Sequence, residues 1–279
     1  MSVASTIEQY RDVLGPAERR VAAVVLADAE AIAFGTVASV ATASGASGAS
    51  VVRLATRLGY DGFVGLQSAV QAELATRLRP AAERIRQPAA VDVVGRTLAT
   101  ELDNVHRTLD AVQPRTFSTA VRLLATRSST VAVVSGEASV GVATMFAGEL
   151  AMLRPRVSLV SGSEVATARA VGLLEPADVV VALDVRRYDR AVLAAADEAV
   201  RRGAVVIAVT DSPLSPLADG AAAAFAVAAE GAGPFDSHVG MLALANALVT
   251  AVAARLRAGA TARLDRVEAA WRMSGALVD

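Results

Sequence analysis

Residues 36–63 read TVASVATASGASGASVVRLATRLGYDGF and hold two apolar patterns of helical spacing around a short break of small residues. In the break, Gly45 suits the positive φ that closes a tight turn between helices. Ser47 is a good N-cap for the second pattern. The apolar residues of that pattern are Val51, Val52, Leu54, Ala55 and Leu58. The stretch therefore predicts a helix–turn–helix, although an ordinary helical hairpin has the same spacing.

The polar residues of the second helix lie off its apolar face. Small polar residues stand at its N-terminus and arginines follow one and two turns later, a pattern that fits reading of the DNA major groove. The predicted DNA contacts are Ser47, Ser50, Arg53 and Arg57, with Tyr60 available for a phosphate.

The flanking sequence carries a family resemblance. The segments Pro16-Ala17-Glu18-Arg19-Arg20-Val21-Ala22, Ser50-Val51-Val52-Arg53 and Arg57-Leu58-Gly59-Tyr60-Asp61-Gly62-Phe63 closely resemble the N-terminal domain of the RpiR (MurR/RpiR) family of bacterial transcriptional regulators. The chain departs from the family at Gly48, where an acidic residue or proline is more common. The resemblance implies a sequence-specific regulator that binds double-stranded DNA.

Composition limits the chemistry of the chain. Its 279 residues are enough for two domains, and a hydrophobic fraction of 54% with only 4% aromatic residues predicts cores of alanine, valine and leucine. The chain has no cysteine and two histidines, so we expect no disulfide and no metal site, in keeping with a reducing cytoplasm. We also expect no cofactor. All basic residues are arginine, which indicates a compositional bias.

The formal net charge is −1, so a broad basic surface for DNA is not expected. Phosphate contacts would come from the placement of individual arginines and helix N-termini, and useful affinity would require a dimer or larger homo-oligomer. The N-terminal residues become polar too early for a signal peptide. The uncharged stretch 239–254 is shorter than a bilayer span, so a buried helix and no membrane contact are expected.

After Pro114 short β-branched runs alternate with helical patterns, which predicts a parallel sheet covered by helices. The strand candidates are Thr130–Val134, Val157–Val160, Val179–Leu183, Val205–Val209 and Ala224–Val227. The predicted organisation is an all-α helix-turn-helix domain at 1–80, a connecting helix or linker at 81–113, and an α/β domain with a parallel five-stranded sheet at 114–279. Ligands of such sheets gather at the carboxyl ends of the strands.

The α/β region is similar to a sugar isomerase (SIS) domain, the usual C-terminal partner of the RpiR module. The similarity rests on Ser139 with Ala143 after the first strand, on Thr210-Asp211 and Ser215-Pro216-Leu217 after the fourth, and on Gly233-Pro234-Phe235-Asp236-Ser237. It implies a domain that binds a small-molecule effector and forms a homodimer. The dimer would place two helix-turn-helix domains on a near-palindromic operator.

The phosphate loops of the SIS family are altered here. Ser135 and Glu137 stand at two glycine positions of the first loop, and only Ser139 is kept, while Asp184-Val185-Arg186-Arg187-Tyr188-Asp189 replaces a hydroxyl-rich second loop. The candidate effector residues are Ser135, Glu137, Ser139, Asp184, Arg186 and Arg187. The two arginines either clamp an anionic group or pair with Asp184, Asp189 or Glu137 in an internal network, or bridge subunits. The hypothesis is an acidic or polyhydroxylated effector that need not be phosphorylated.

Catalysis is not expected. SIS folds also serve phosphosugar isomerases and lyases, which need a positioned acid or base. His106 falls in the connecting helix and His238 begins the last helix, and neither belongs to an evident catalytic set. The alternatives are a phosphosugar isomerase or lyase, and a DNA-binding dimer whose SIS domain has lost its ligand.

Overall fold

The computed structural model of the chain describes residues 3–27, 29–78, 81–86, 92–213 and 215–275. The chain divides into two compact units, one built from the residues before 84 together with 212–214, and one from the remainder. The predicted limit at residue 80 and part of the predicted connecting stretch lie outside the described residues.

The described part of the first unit is helical. Its helices are α1 (Val3–Tyr10), α2 (Pro16–Ala27), α3 (Ala29–Phe34), α4 (Val37–Ser44), α5 (Gly48–Arg57) and α6 (Gly62–Leu78). The sequence did not predict α1, whose Val3 and Ile7 lie four residues apart and are both buried. Polar residues around these two positions make the apolar face of α1 hard to recognise in the sequence.

The segment that begins at Pro16 forms two helices, α2 and α3. The shorter helix has its own C-terminal partners, because the side-chain amides of Gln67 and Gln71 on α6 donate hydrogen bonds to the carbonyls of Ile32, Gly35 and Ala33. These side-chain donors satisfy carbonyls in the last turn of α3 and at Gly35, which follows the helix.

The second unit alternates helices and strands. Its helices are α7 (Ala81–Arg84, which spans the division), α8 (Val93–Asp110), α9 (Pro114–Ala125), α10 (Val140–Leu153), α11 (Glu164–Gly172), α12 (Arg190–Arg201) and α13 (Val239–Ser274). Its strands are β1 (Val131–Ser135), β2 (Val157–Val160), β3 (Val179–Leu183), β4 (Val205–Thr210) and β5 (Ala223–Ala226). The five predicted strands are confirmed, two of them with the expected bounds.

The strands form one parallel sheet in the order β2-β1-β3-β4-β5. Val131 of β1 stands opposite Val157 of β2 and Val179 of β3, so the strands begin nearly level. The chain leaves β1 to one side for β2 and returns to the other side for β3. This reversal of direction creates a crevice at the carboxyl ends of β1 and β3.

Both faces of the sheet are buried. Residues such as Val133 and Val181 point toward α9, α10 and α13, whereas their neighbours Val134 and Val180 point toward α11 and α12. Alternate residues of a strand face opposite sides, so apolar side chains at every position require cover on both. Polar chemistry is therefore confined to the ends of the strands.

Helix α13 has 36 residues and continues well beyond the uncharged stretch 239–254. Its second half is rich in alanine and arginine, which favour helix even when exposed, and Gly275 ends it with a φ of 62°. By length and composition alone α13 could cross a membrane, which is weak evidence because the core helix of a soluble domain passes the same test. Its N-terminal half packs through Met241, Leu244 and Leu248 into the core.

Gly240, at the second position of α13, lets two elements approach closely. A Cβ there would collide with the hydroxyl of Thr108 on α8 and the carbonyl of Ala228. Gly141 has the same position in α10, and a Cβ there would meet nothing within 4 Å. The pair separates the effect of added volume from that of helix propensity.

We expect Gly240→Ala to lower the free energy of unfolding by about 1–3 kcal/mol, because the added methyl must displace backbone or a buried side chain. Gly141→Ala should leave it unchanged or raise it by up to about 1 kcal/mol. Urea denaturation of both variants measures the difference. Equal effects of the two substitutions would show that α8 moves to make room for the methyl group at residue 240.

Candidate functional site

The predicted helix–turn–helix is formed by α4 and α5. Gly45 takes the left-handed conformation with a φ of 56°, and its N–H donates to carbonyls of the last turn of α4. Ser47 caps α5, with its hydroxyl accepting the N–H of Ser50 at 3.3 Å. The turn and the cap fix the direction in which α5 leaves α4.

One face of α5 packs on the helical core through Val51, Leu54 and Ala55, and the opposite face is exposed. The exposed residues of α5 are Ala49, Val52, Arg53, Thr56 and Arg57. Of these, the sequence prediction named Arg53 and Arg57. The others could have been found as the complement of the apolar face, since methyl groups and hydroxyls also contact base edges.

The hydroxyl of Ser50 is enclosed, because the residue is only 3% exposed. It lies 3.0 Å from the Ser47 hydroxyl and accepts a hydrogen bond of 2.8 Å from the Arg53 guanidinium. Ser50 therefore holds two of the other predicted contact residues in place. Ser47 and Arg53 themselves are exposed.

Arg57 is engaged inside the helical unit. Its Nε lies 3.2 Å from Oε1 of Glu18 on α2, and its Nη1 donates to the carbonyl of Val13 at 3.0 Å. Tyr60 is partly buried and packs against the same core. Arg57 thus ties α5 to α2.

The second set of predicted residues gathers at the carboxyl ends of β1 and β3. Ser135, Glu137 and Ser139 follow β1, and Asp184, Arg186 and Arg187 follow β3. Their exposure separates them into two groups. Glu137 and Arg187 are exposed and Ser135 is intermediate, whereas Ser139, Asp184 and Arg186 are buried.

Asp184 is packed between the two loops and is 3% exposed. Its carboxylate accepts the N–H groups of Val185 and Asp189 at 2.9 and 2.6 Å. A Cβ at Gly136, after β1, would collide with this carboxylate. Burial raises the pKa of the Asp184 carboxyl to about 6, against the opposing effect of the two backbone hydrogen bonds. The carboxylate is enclosed between the loops after β1 and β3, and with a pKa of about 6 it is mostly ionised at neutral pH.

Arg186 adopts a left-handed backbone with a φ of 55°, a conformation that costs a non-glycine residue roughly 1–2 kcal/mol. Its N–H donates to Oδ1 of Asp211 at 3.0 Å, an oxygen that also accepts the hydroxyl of Tyr188 at 2.8 Å. The aspartate after β4 therefore holds the loop after β3 in this shape.

The Arg186 guanidinium is paired with two carboxylates. Its Nη2 lies 2.8 Å from Oε1 of Glu230 and its Nη1 lies 3.1 Å from Oδ1 of Asp236. Of the two interpretations left open, this geometry favours the internal network, but with other partners than the expected Asp184, Asp189 or Glu137. Both partners follow β5, and only the strand order brings them to the loop after β3.

Two buried hydroxyls near this edge are further features that the sequence did not single out as a pair. Among the described residues, Ser139 Oγ and Thr210 Oγ1, which end the β1 loop and β4, have no hydrogen-bond partner. Buried hydroxyls of this kind are the groups that an ordered water or a polar ligand satisfies. They add neutral donors to a crevice otherwise lined by charge.

The comparisons with known proteins follow this division. Residues 1–77 match the helix-turn-helix domain of the rpiR family, and residues 124–251 match the SIS domain. The chain belongs to the RpiR family. No curated protein sequence matches it significantly.

Solved structures share the fold of this RpiR protein. The sugar isomerase domain of an RpiR transcription factor from Sphaerobacter thermophilus is 29% identical, with 62% of this chain and 97% of that one covered and a TM-score of 0.59. The Vibrio vulnificus NanR protein, complexed with ManNAc-6P, is 19% identical over 99% of both chains, with a TM-score of 0.60. The protein c3406 of E. coli CFT073 is 20% identical over 63% of this chain and 95% of that one, with a TM-score of 0.53.

The raised pKa of Asp184 gives a test of its burial. The folded state keeps a proton that the unfolded state releases between pH 4 and about 6, so this group makes the free energy of unfolding fall as pH rises through that range. From the two pKa values the fall is roughly 3 kcal/mol. Asp184→Asn should lack it, and urea denaturation at several pH values measures the slope.

Glu137→Gln is the control, because it neutralises an exposed carboxylate of the adjacent loop. It should keep the wild-type dependence of stability on pH. The same slope in Asp184→Asn and wild type would show that Asp184 titrates as an ordinary exposed aspartate.

Proposed function

We propose that the protein is a cytoplasmic, sequence-specific DNA-binding regulator of transcription whose SIS domain binds a small polar effector. The observation that carries the proposal is helix α5, which is capped by Ser47 and whose exposed Arg53 is held by a hydrogen bond to Ser50. The same chain has a crevice at the carboxyl ends of β1 and β3. The family membership supports it. The domains are proposed at 1–80, 81–113 and 114–279, with the last also forming a homodimer or larger assembly.

In this proposal α5 enters the major groove of a near-palindromic site. Ser47 and Arg53 contact DNA directly, joined by Val52 and Thr56 from the same exposed face. Ser50 and Arg57 act as positioning residues, because their polar atoms bind Arg53 and Glu18 respectively. Tyr60 remains a proposed phosphate contact at the end of α5.

The effector is proposed to be a sugar-derived molecule that binds at the ends of β1 and β3. One structural relative, the NanR protein, was solved with ManNAc-6P, which favours a phosphosugar. The carboxylates of Asp184 and Glu137 act against it, because they would repel a phosphate dianion in a partly desolvated crevice. A sugar acid carries one negative charge and is repelled less than a dianion, and a neutral polyol derivative is not repelled, so we propose an effector of one of these two classes.

We do not propose catalysis. The SIS fold also occurs in isomerases, and the chemistry they need is a positioned acid or base. His238 is the residue nearest to such a role, and burial lowers the pKa of its imidazole. Its Nε2 is buried and has no hydrogen-bond partner among the described residues, and the one charged group that acts on the imidazole is Asp236, which already pairs with Arg186. A coupled assay for aldose–ketose conversion of phosphosugars should show no turnover.

Arg53→Ala should weaken binding to a site selected from a random DNA library by about 1–3 kcal/mol, because a bidentate contact to a base edge is lost. The loss on unselected DNA should be much smaller. Fluorescence anisotropy on both DNAs measures the ratio. Equal losses would make Arg53 a phosphate contact.

Arg57→Ala is the matched control on the same helix. It should reduce stability by about 1 kcal/mol, since it removes a partly exposed ion pair and a hydrogen bond to backbone. Its folded form should keep the ratio of affinities for the selected and unselected DNA. A change in that ratio would return Arg57 to the residues that read bases.

Effector binding can be tested by thermal unfolding against sugar acids, polyols and sugar phosphates. A ligand at one hundred times its Kd stabilises the folded state by about 2.7 kcal/mol, or several degrees in Tm. We expect responses to sugar acids or polyols. A response to phosphosugars alone would contradict the proposed effector class, and no response to any compound would support a domain without a ligand.

A further inference from the structure

The segment between β5 and α13, residues 227–238, is a closed loop that carries both partners of Arg186. The N–H of Ser237 donates to the carbonyl of Ala229 at 3.2 Å, which brings its two ends together. A Cβ at Gly231 would collide with the carbonyl of Phe235. Glu230 and Asp236 lie on either side of this tight turn, so one closed turn carries both carboxylates.

On one side the 227–238 segment is held by arginines. Arg186 contacts both carboxylates, and Arg84 lies 2.5 Å from the same oxygen of Asp236. The side chain of Asp236 is 19% exposed, whereas that of Glu230 is 50% exposed. Arg186 is therefore the link between this segment and the loop after β3.

On the other side the segment is hydrogen-bonded to α8. The Asn104 amide donates to the carbonyl of Glu230 at 2.7 Å and accepts its N–H at 3.1 Å. Thr108 accepts the N–H of Ala228 at 2.9 Å, and Glu101 accepts the hydroxyl of Ser237. All three polar residues lie on one face of α8.

Helix α8 reverses the usual amphipathic pattern, because its buried face is polar and its exposed face carries leucines. Asn104 and Thr108 are the buried residues of α8, while Leu98 and Leu102 are exposed. Directional hydrogen bonds, which weaken steeply with distance and angle, thus hold α8 against residues 228 and 230. Apolar contacts would persist after a small displacement of the 227–238 segment along α8, whereas these hydrogen bonds would weaken or break.

We propose that Arg186, Glu230 and Asp236 form an ion-pair latch that fixes the 227–238 segment, and through Asn104 and Thr108 fixes α8. Asp211 sets the position of Arg186, so the latch connects the strand-end crevice to the helix that leads back along the chain toward the DNA-binding unit. This rests on the proposed function and adds its regulation. A ligand that draws Arg186 into the crevice releases the segment.

The experiment compares hydrogen exchange of the Ala228 and Glu230 amides, whose acceptors are on α8, in the full-length protein and two variants. Arg186→Gln removes the guanidinium while Asp236 keeps Arg84 and Glu230 stays half-exposed. Both amides should exchange at least about tenfold faster, with the amides of β1, β3 and β4 unchanged, because local opening no longer breaks an ion pair.

Glu230→Gln is the milder variant and decides the outcome if Arg186→Gln destabilises the whole domain. It should accelerate the same two amides alone. Arg202→Gln is the control, since it removes an exposed ion pair to Glu198 on α12 and should change neither amide. Wild-type exchange rates at residues 228 and 230 in Glu230→Gln would overturn the latch.

Binding of the selected DNA site separates this proposal from the proposed function. Coupling between sites typically changes affinity by about five- to hundredfold, so Arg186→Gln should shift DNA affinity by at least about fivefold. Local exchange without that shift would overturn the connection to DNA binding. Absence of DNA binding by the wild-type protein would contradict the proposed function, and exchange would still decide the latch.

Discussion

A parallel sheet with both faces buried leaves polar groups only one place to act. In this protein the strands are built of valine, alanine and leucine, and helices cover both sides. Charged side chains near the sheet therefore lie at strand ends, and several of them meet where the loops after β3, β4 and β5 converge. The strand order puts a crevice between β1 and β3. The site, the network around it and the attachment of α8 all follow from this confinement.

Arg186 shows how the confinement works at one residue. Its backbone is in the left-handed region, which favours glycine, and it is held there by Asp211 from the next strand. Its side chain reaches residues that follow β5. One residue thus joins the ends of three strands, and the cost of its conformation is offset by bonds from each. A glycine at this position would relieve the strain but would lose both ion pairs.

The sequence predicted those features that depend on local pattern. The β-branched runs located β3 at Val179–Leu183 because a fully buried strand is apolar at each position, and Gly45 and Ser47 located the turn and the cap of α5. The partners of Arg186 were not predictable in this way. Glu230 lies 44 residues away, and only the crossing of the sheet brings it near. The burial of Ser50 was not predictable for another reason, since spacing does not show that a small hydroxyl at the edge of an apolar face is enclosed.

A gain in the free energy of unfolding is a poor explanation for the charge network at the strand ends. Breaking a buried ion pair is costly, but replacing the whole pair by apolar residues is often neutral or stabilising. This chain builds its cores from aliphatic residues and has 54% hydrophobic residues, so an apolar solution would fit its composition. Yet it places Asp184, Arg186, Asp211 and Asp236 together and keeps Glu230 half in water. Several carboxylates around one guanidinium allow its ion pairs to exchange. This arrangement suits a binding site whose partners change better than it suits a fixed core.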